Sequence, residues 1–63
     1  MNGFQALANA IVQQAAEDYR SALKFNDKRH IHELERFFRS AWYSALTDID
    51  GEWLMNKLRE EML

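Results

Sequence analysis

The sequence predicts an all-α protein: a compact three-helix bundle, or a helical hairpin with a third helix across it, forming a single domain over residues 1–63 and completed as a homodimer. Three observations carry this. Apolar residues recur at the spacing of one helix face in three separate segments. Proline is absent, and the two glycines, Gly3 and Gly51, both stand where a helix would begin. A chain of 63 residues with no cysteine has no disulfide to hold it. A domain of that size buries only about 60% of its unfolded surface, so tight packing or association must supply the remainder.

The first helix is expected over about 4–23. Asn2 is placed to cap it through its side-chain oxygen. Phe4, Ala8, Ile11, Val12, Ala15, Tyr19 and Ala22 fall on one side, and Gln13, Glu17, Arg20 and Lys24 on the other. Its alanines allow close approach of another helix, and this wide, small-residue face is where a second copy is expected. Phe25-Asn26-Asp27-Lys28 reads as a polar turn, with Asn26 or Asp27 capping the next helix.

The second helix is expected over about 28–46, with Ile31, Leu34, Phe38, Ala41, Trp42 and Ala45 as its apolar stripe. Glu35 and Arg39 stand four apart in the favourable order. Thr47-Asp48-Ile49-Asp50-Gly51 breaks the periodicity. The third helix is expected over about 51–62, capped by Asp50, with Ile49 and Leu54 at the spacing of a hydrophobic staple. Glu52 suits the positive end of its dipole. Leu54, Met55, Leu58 and Met62 form its buried stripe.

Composition excludes several function classes. The net charge of −2 disfavours nucleic-acid binding driven by bulk charge. No apolar run approaches the length that spans a bilayer, and MNGFQALANA lacks the basic start of a signal peptide. Cytoplasmic residence is expected of a cysteine-free chain. The glycines form no phosphate loop. No serine sits in a glycine elbow. His30 and His32, two apart on a helix, point away from each other and share no metal. Asp48-Ile49-Asp50-Gly51 matches the start of a calcium loop, but position 12 of that loop is Arg59 rather than a bidentate glutamate. A non-enzymatic protein without metal or cofactor is expected.

What remains is recognition. On a 28–46 helix, Arg29, His32, Arg36, Arg39 and Tyr43 lie on one strip away from the apolar stripe. This strip is either a solvated helix face or a surface for phosphate or an acidic protein; arginine and tyrosine are enriched at binding hot spots. Phe37 lies beside the stripe, and Trp53 lies opposite Leu54 and Leu58. Each is either packed at a helix junction or an anchor for a partner. The candidate partner-binding residues are Arg29, His32, Arg36, Arg39, Tyr43 and Trp53.

The runs AIVQQAAEDYRSALK and ELERFFRSAWYSALTDIDGEWLMNKLREE resemble short proteins of phages and prophage-like elements in Firmicutes, with an ERFFRS-W core followed by LT-x-x-DGE-x-L. Matching positions include Glu35, Arg36, Phe37, Phe38, Arg39, Ser40, Trp42, Thr47, Asp50, Gly51 and Glu52. Ala41 stands where that pattern leads one to expect an acidic residue, which leaves the arginines less neutralised. The resemblance implies a mobile-element protein that binds and inhibits or modulates a host protein, in the manner of anti-CRISPR inhibitors of immune nucleases. A nucleic-acid-binding regulator and a structural assembly protein are the alternatives.

Overall fold

The computed structural model describes residues 2–62. It holds four helices: α1 (Gly3–Lys24), α2 (Lys28–Phe38), α3 (Ala41–Leu46) and α4 (Gly51–Glu60). Among the described residues there is no strand. The expected third helix ends earlier, at Glu60, and Met62 stands exposed beyond it.

Helix α1 is the spine. Its 22 residues extend about 33 Å at 1.5 Å per residue, close to the 36 Å long axis of the molecule. Asn2 Oδ1 accepts from the Gln5 amide at 2.7 Å, as the cap reading requires. At the other end, the Asn26 amide donates to the Leu23 carbonyl and the Asp27 amide to the Ala22 carbonyl. Asn26 has a φ of 53°. This is a Schellman ending with asparagine in the left-handed position usually held by glycine. Asp27 then caps α2 by accepting from the His30 amide.

The expected helix over 28–46 is broken at Arg39–Ser40. The Ser40 hydroxyl donates to the Phe37 carbonyl at 2.6 Å, and its oxygen accepts from the Tyr43 amide at 3.1 Å. A serine side chain that competes for local backbone partners ends one helix and caps the next. The break rotates everything after it. Tyr43 and Leu46 turn into the core, while Ala41, Trp42 and Ala45, expected on the buried stripe, are exposed. Trp42 is 57% exposed and Tyr43 only 2%, the reverse of the expectation for both. The strip drawn through Tyr43 therefore ends at Arg39.

α1 packs against α2, α3 and α4. The core contains Val12, Tyr19, Phe38, Tyr43, Leu46, Met55 and Leu58, with Ile31, Leu34, Phe37 and Leu54 partly buried against it. Phe38 is its hub. Its ring meets Tyr19 edge-on at 5.6 Å between centroids and Tyr43 at 5.5 Å, geometry favoured by the ring quadrupoles. Phe37 meets Phe38 at a tilt and Tyr43 edge-on, so it belongs to the packing and is no exposed anchor. Ala8, Ala15 and Ala22 are buried by the chain's own helices, so the small-residue face expected to receive a second copy is already covered. Phe4, expected on the same buried side, is 64% exposed.

Asp50 caps α4, its Oδ1 accepting from the Glu52 and Trp53 amides. Gly51 is needed for a different reason. A β-carbon there would overlap the carbonyl oxygen of Phe38, so α4 can start against the end of α2 only with glycine at this position.

Candidate functional site

Two charge pairs lock α4 onto α2, in antiparallel register. Arg39 Nε donates to Glu52 Oε1 at 2.5 Å, and Arg59 Nη2 donates to Glu35 Oε2 at 2.8 Å. As the α2 number rises, the α4 number falls. Tyr19 of α1 closes the second pair into a ring: its hydroxyl donates to Glu35 Oε2 at 2.7 Å and accepts from Arg59 Nε at 2.9 Å. Arg59 Nη1 donates to Asn56 Oδ1, and Arg39 also stands 3.8 Å from Glu35.

The electrostatics follow from this ring. Hydrogen bonds from Tyr19 and then Arg59 hold the Glu35 carboxyl below its ordinary range. The Arg39 hydrogen bond does the same for Glu52. Burial, reinforced by the acceptor Glu35, pushes the Tyr19 hydroxyl up. The Arg59 and Arg39 guanidinia are raised by their carboxylate partners. None of these groups is poised to exchange a proton near neutral pH, which is the property a general acid or base needs.

The seam's outer rim is where recognition chemistry remains. Counting 100° per residue, Arg36 and His32 lie beyond Arg39 on α2, and Asn56, Trp53 and Lys57 lie beyond Glu52 on α4. The antiparallel register sets Arg36 level with the middle of α4. Trp53 is 55% exposed, with the Lys57 ammonium 5.8 Å from its ring centroid. Arg36 and His32 are exposed and make no ion pair among the described residues.

The six expected site residues thus divide. Arg36 and His32 are exposed on the α2 side of the rim, and Trp53 on its α4 side. Arg39 is consumed by Glu52 and Glu35 as part of the seam. Arg29 is exposed and paired with Glu33 at 3.5 Å, one turn away on its own helix. Tyr43 is inside. Its hydroxyl finds no hydrogen-bond partner among the described residues, and burial, followed by the charge of Asp50, pushes its pKa up. From the sequence, Arg59 entered only as the residue that breaks the calcium-loop match, and Glu35 as the partner of Arg39 and a position of the phage-protein pattern; neither was read as part of a site. The available signal was Tyr19: a tyrosine in an apolar stripe needs a partner for its hydroxyl, and Glu35 borders the α2 stripe.

Among the described residues, no group of histidine and carboxylate side chains could hold a metal, and no helix is long and apolar enough to cross a membrane. No family model, curated protein or solved structure matches the chain.

Proposed function

We propose that the protein is a non-catalytic binding module that docks the α2–α4 rim onto another protein and blocks or modulates it by occupying its surface. The observation that carries this reading is Trp53: a more than half-exposed indole on the α4 side of a rim whose α2 side carries Arg36, without an ion pair among the described residues, along a seam whose own charges are already satisfied. Tryptophan and arginine are the residue types that dominate interface energetics. The complementary surface has an apolar pocket for the indole and a carboxylate for Arg36, which can pair bidentately. The resemblance to phage and prophage proteins makes a host protein the target, an immune nuclease among the candidates, and the host cytoplasm the place of action. The pairing of Arg29 and Arg39 with glutamates weighs against nucleic acid as the partner, because it leaves little uncompensated positive charge. The same reading makes the protein self-associate, as a small chain with so little core requires.

The test is capture from host-cell extract by the immobilised full chain. Trp53→Ala and Arg36→Glu are compared with wild type, after circular dichroism shows unchanged helix content. Loss of an anchor worth about 2 kcal/mol weakens binding roughly thirtyfold, so the captured protein should disappear with either variant. Capture that is unaltered by both would remove the rim from the account.

A further inference from the structure

We infer that the N-terminal half of α1 carries a self-association strip, Phe4–Leu7–Ile11, through which two copies pack their first helices antiparallel about a two-fold axis. The inference rests on the proposed self-association and names its surface, a different one from the small-residue face read from the sequence. Phe4 and Leu7 are 64% and 61% exposed, and Ile11 is partly so. Their spacing of three and four residues places them on one face. That face is uncovered because α2 runs beside only the C-terminal half of α1, and the chain then turns at Ser40 toward the other flank. There α1 and the α3 end form a groove lined by Gln5, Ala8 and Leu46, with Phe4 of the strip also among its lining residues.

Charge selects the occupant. No side chain from Asn2 to Ala16 is charged; Glu17 is the first. A nucleic acid would require cations here. A helix lying on a membrane carries lysine and arginine along its polar face, and this one has none over four turns. A two-fold contact sets each patch against its own copy, so any charge near the axis would meet a like charge. A neutral strip flanked by Gln14, both donor and acceptor, is complementary to itself. Area agrees. A compact monomer of 7.5 kDa is expected to expose about 4,250 Å², whereas this chain exposes 4630 Å².

One helix face is smaller than the roughly 800 Å² per partner of a standard interface, so association is weak, with a Kd on the order of 0.1 mM. The experiment is sedimentation equilibrium of the full chain from about 10 µM to 1 mM, for wild type, Leu7→Glu and Trp53→Ala. Both substituted side chains are exposed in the monomer, and a glutamate near the helix start suits the dipole; Phe4→Glu is the second variant should Leu7→Glu lose helix content. Expected is a wild-type mass rising from 7.5 kDa to twice that value, abolished by Leu7→Glu and kept by Trp53→Ala. A wild type that stays at 7.5 kDa throughout overturns both the self-association reading and the strip. A dimer that survives Leu7→Glu and Phe4→Glu, or that Trp53→Ala dissolves, overturns the strip alone. Mass that keeps climbing past the dimer overturns the two-fold arrangement.

Discussion

Tyr19 and Tyr43 are both buried and both meet Phe38 edge-on, yet their hydroxyls differ. That of Tyr19 is held by Glu35 and Arg59, while that of Tyr43 is left without a partner. The same contrast runs through the two ends of α1. At the C-terminal end, α2 and α4 close over the spine with ion pairs, and Arg20 reaches Glu61 at 2.7 Å. At the N-terminal end, only the six-residue α3 and the turn after it lie beside the helix, and Phe4, Leu7, Trp42 and Ile49 stay exposed. One end has solved its packing and polar problems within the chain. The other leaves apolar side chains exposed.

Phe38→Ala removes what both ends share. It should cost about 3–5 kcal/mol in urea melts, more than a domain this small can spare, whereas Arg36→Ala should stay within about 0.5 kcal/mol. Equal losses would mean that α2 is rotated from the position described.

Glu35→Ala strikes the C-terminal end alone. It leaves the partly exposed Arg59 charge and the buried Tyr19 hydroxyl without their acceptor, a loss of about 1–2 kcal/mol after allowing for solvent around Arg59. Acid should act in the same direction. Glu35, Glu52, Glu61 and Asp27 all titrate below their ordinary values, through hydrogen bonds to Tyr19 and Arg59, to Arg39, to Arg20 and to His30. A lowered carboxylate stabilises the fold above its unfolded value, 4.5 for glutamate, and loses that contribution as pH falls through the folded value. His30 runs the other way. Asp27 raises it, so its contribution is complete below 6.5 and is lost as pH rises through the raised value. Urea midpoints should therefore peak between pH 4.5 and 6.5 and fall steeply on the acid side. In Glu35→Ala the acid limb should be shallower.

Ser40→Ala tests the break that separates the two regions. Loss of the cap should cost about 1 kcal/mol, and Trp42 fluorescence should shift if α2 and α3 fuse into the continuous helix that the periodicity implies. The smallest effect sharpens the contrast most. Tyr19→Phe should cost about 1 kcal/mol by depriving Glu35 and Arg59 of a partner, while Tyr43→Phe, which removes a hydroxyl with no partner, should be nearly neutral. Matching costs for the two would show that Tyr43 has found a hydrogen bond.

Much of this fold was legible because it is local. The caps at Asn2, Asp27 and Asp50 need only a side chain two or three residues from the amide it serves. The inward phases of α1 and α4 follow from apolar spacing. Ser40 was not legible, because a serine inside a helical pattern is ordinarily tolerated, and its capping role depends on the chain having somewhere to turn. That one residue exchanged the places of Trp42 and Tyr43. Arg36 and His32 were legible as surface because each lies off its helix's apolar stripe, whereas the spacing left Trp53 open between junction packing and an exposed anchor. The Tyr19–Glu35–Arg59 ring was not, since its members are 16 and 24 residues apart and nothing local joins them. Nor was the demand on Gly51, which comes from the distant carbonyl of Phe38.

The proposed roles separate two surfaces, the α2–α4 rim for a foreign protein and the N-terminal strip of α1 for a second copy. The direct measurement is quantitative capture from host extract by four immobilised proteins that match in helix content: wild type, Trp53→Ala, Arg36→Glu and Leu7→Glu. The predicted result is a captured protein that is lost, by roughly thirtyfold in affinity, from Trp53→Ala and Arg36→Glu and retained by Leu7→Glu. Capture that follows Leu7 and ignores Trp53 and Arg36, or that none of the four proteins achieves, would contradict it.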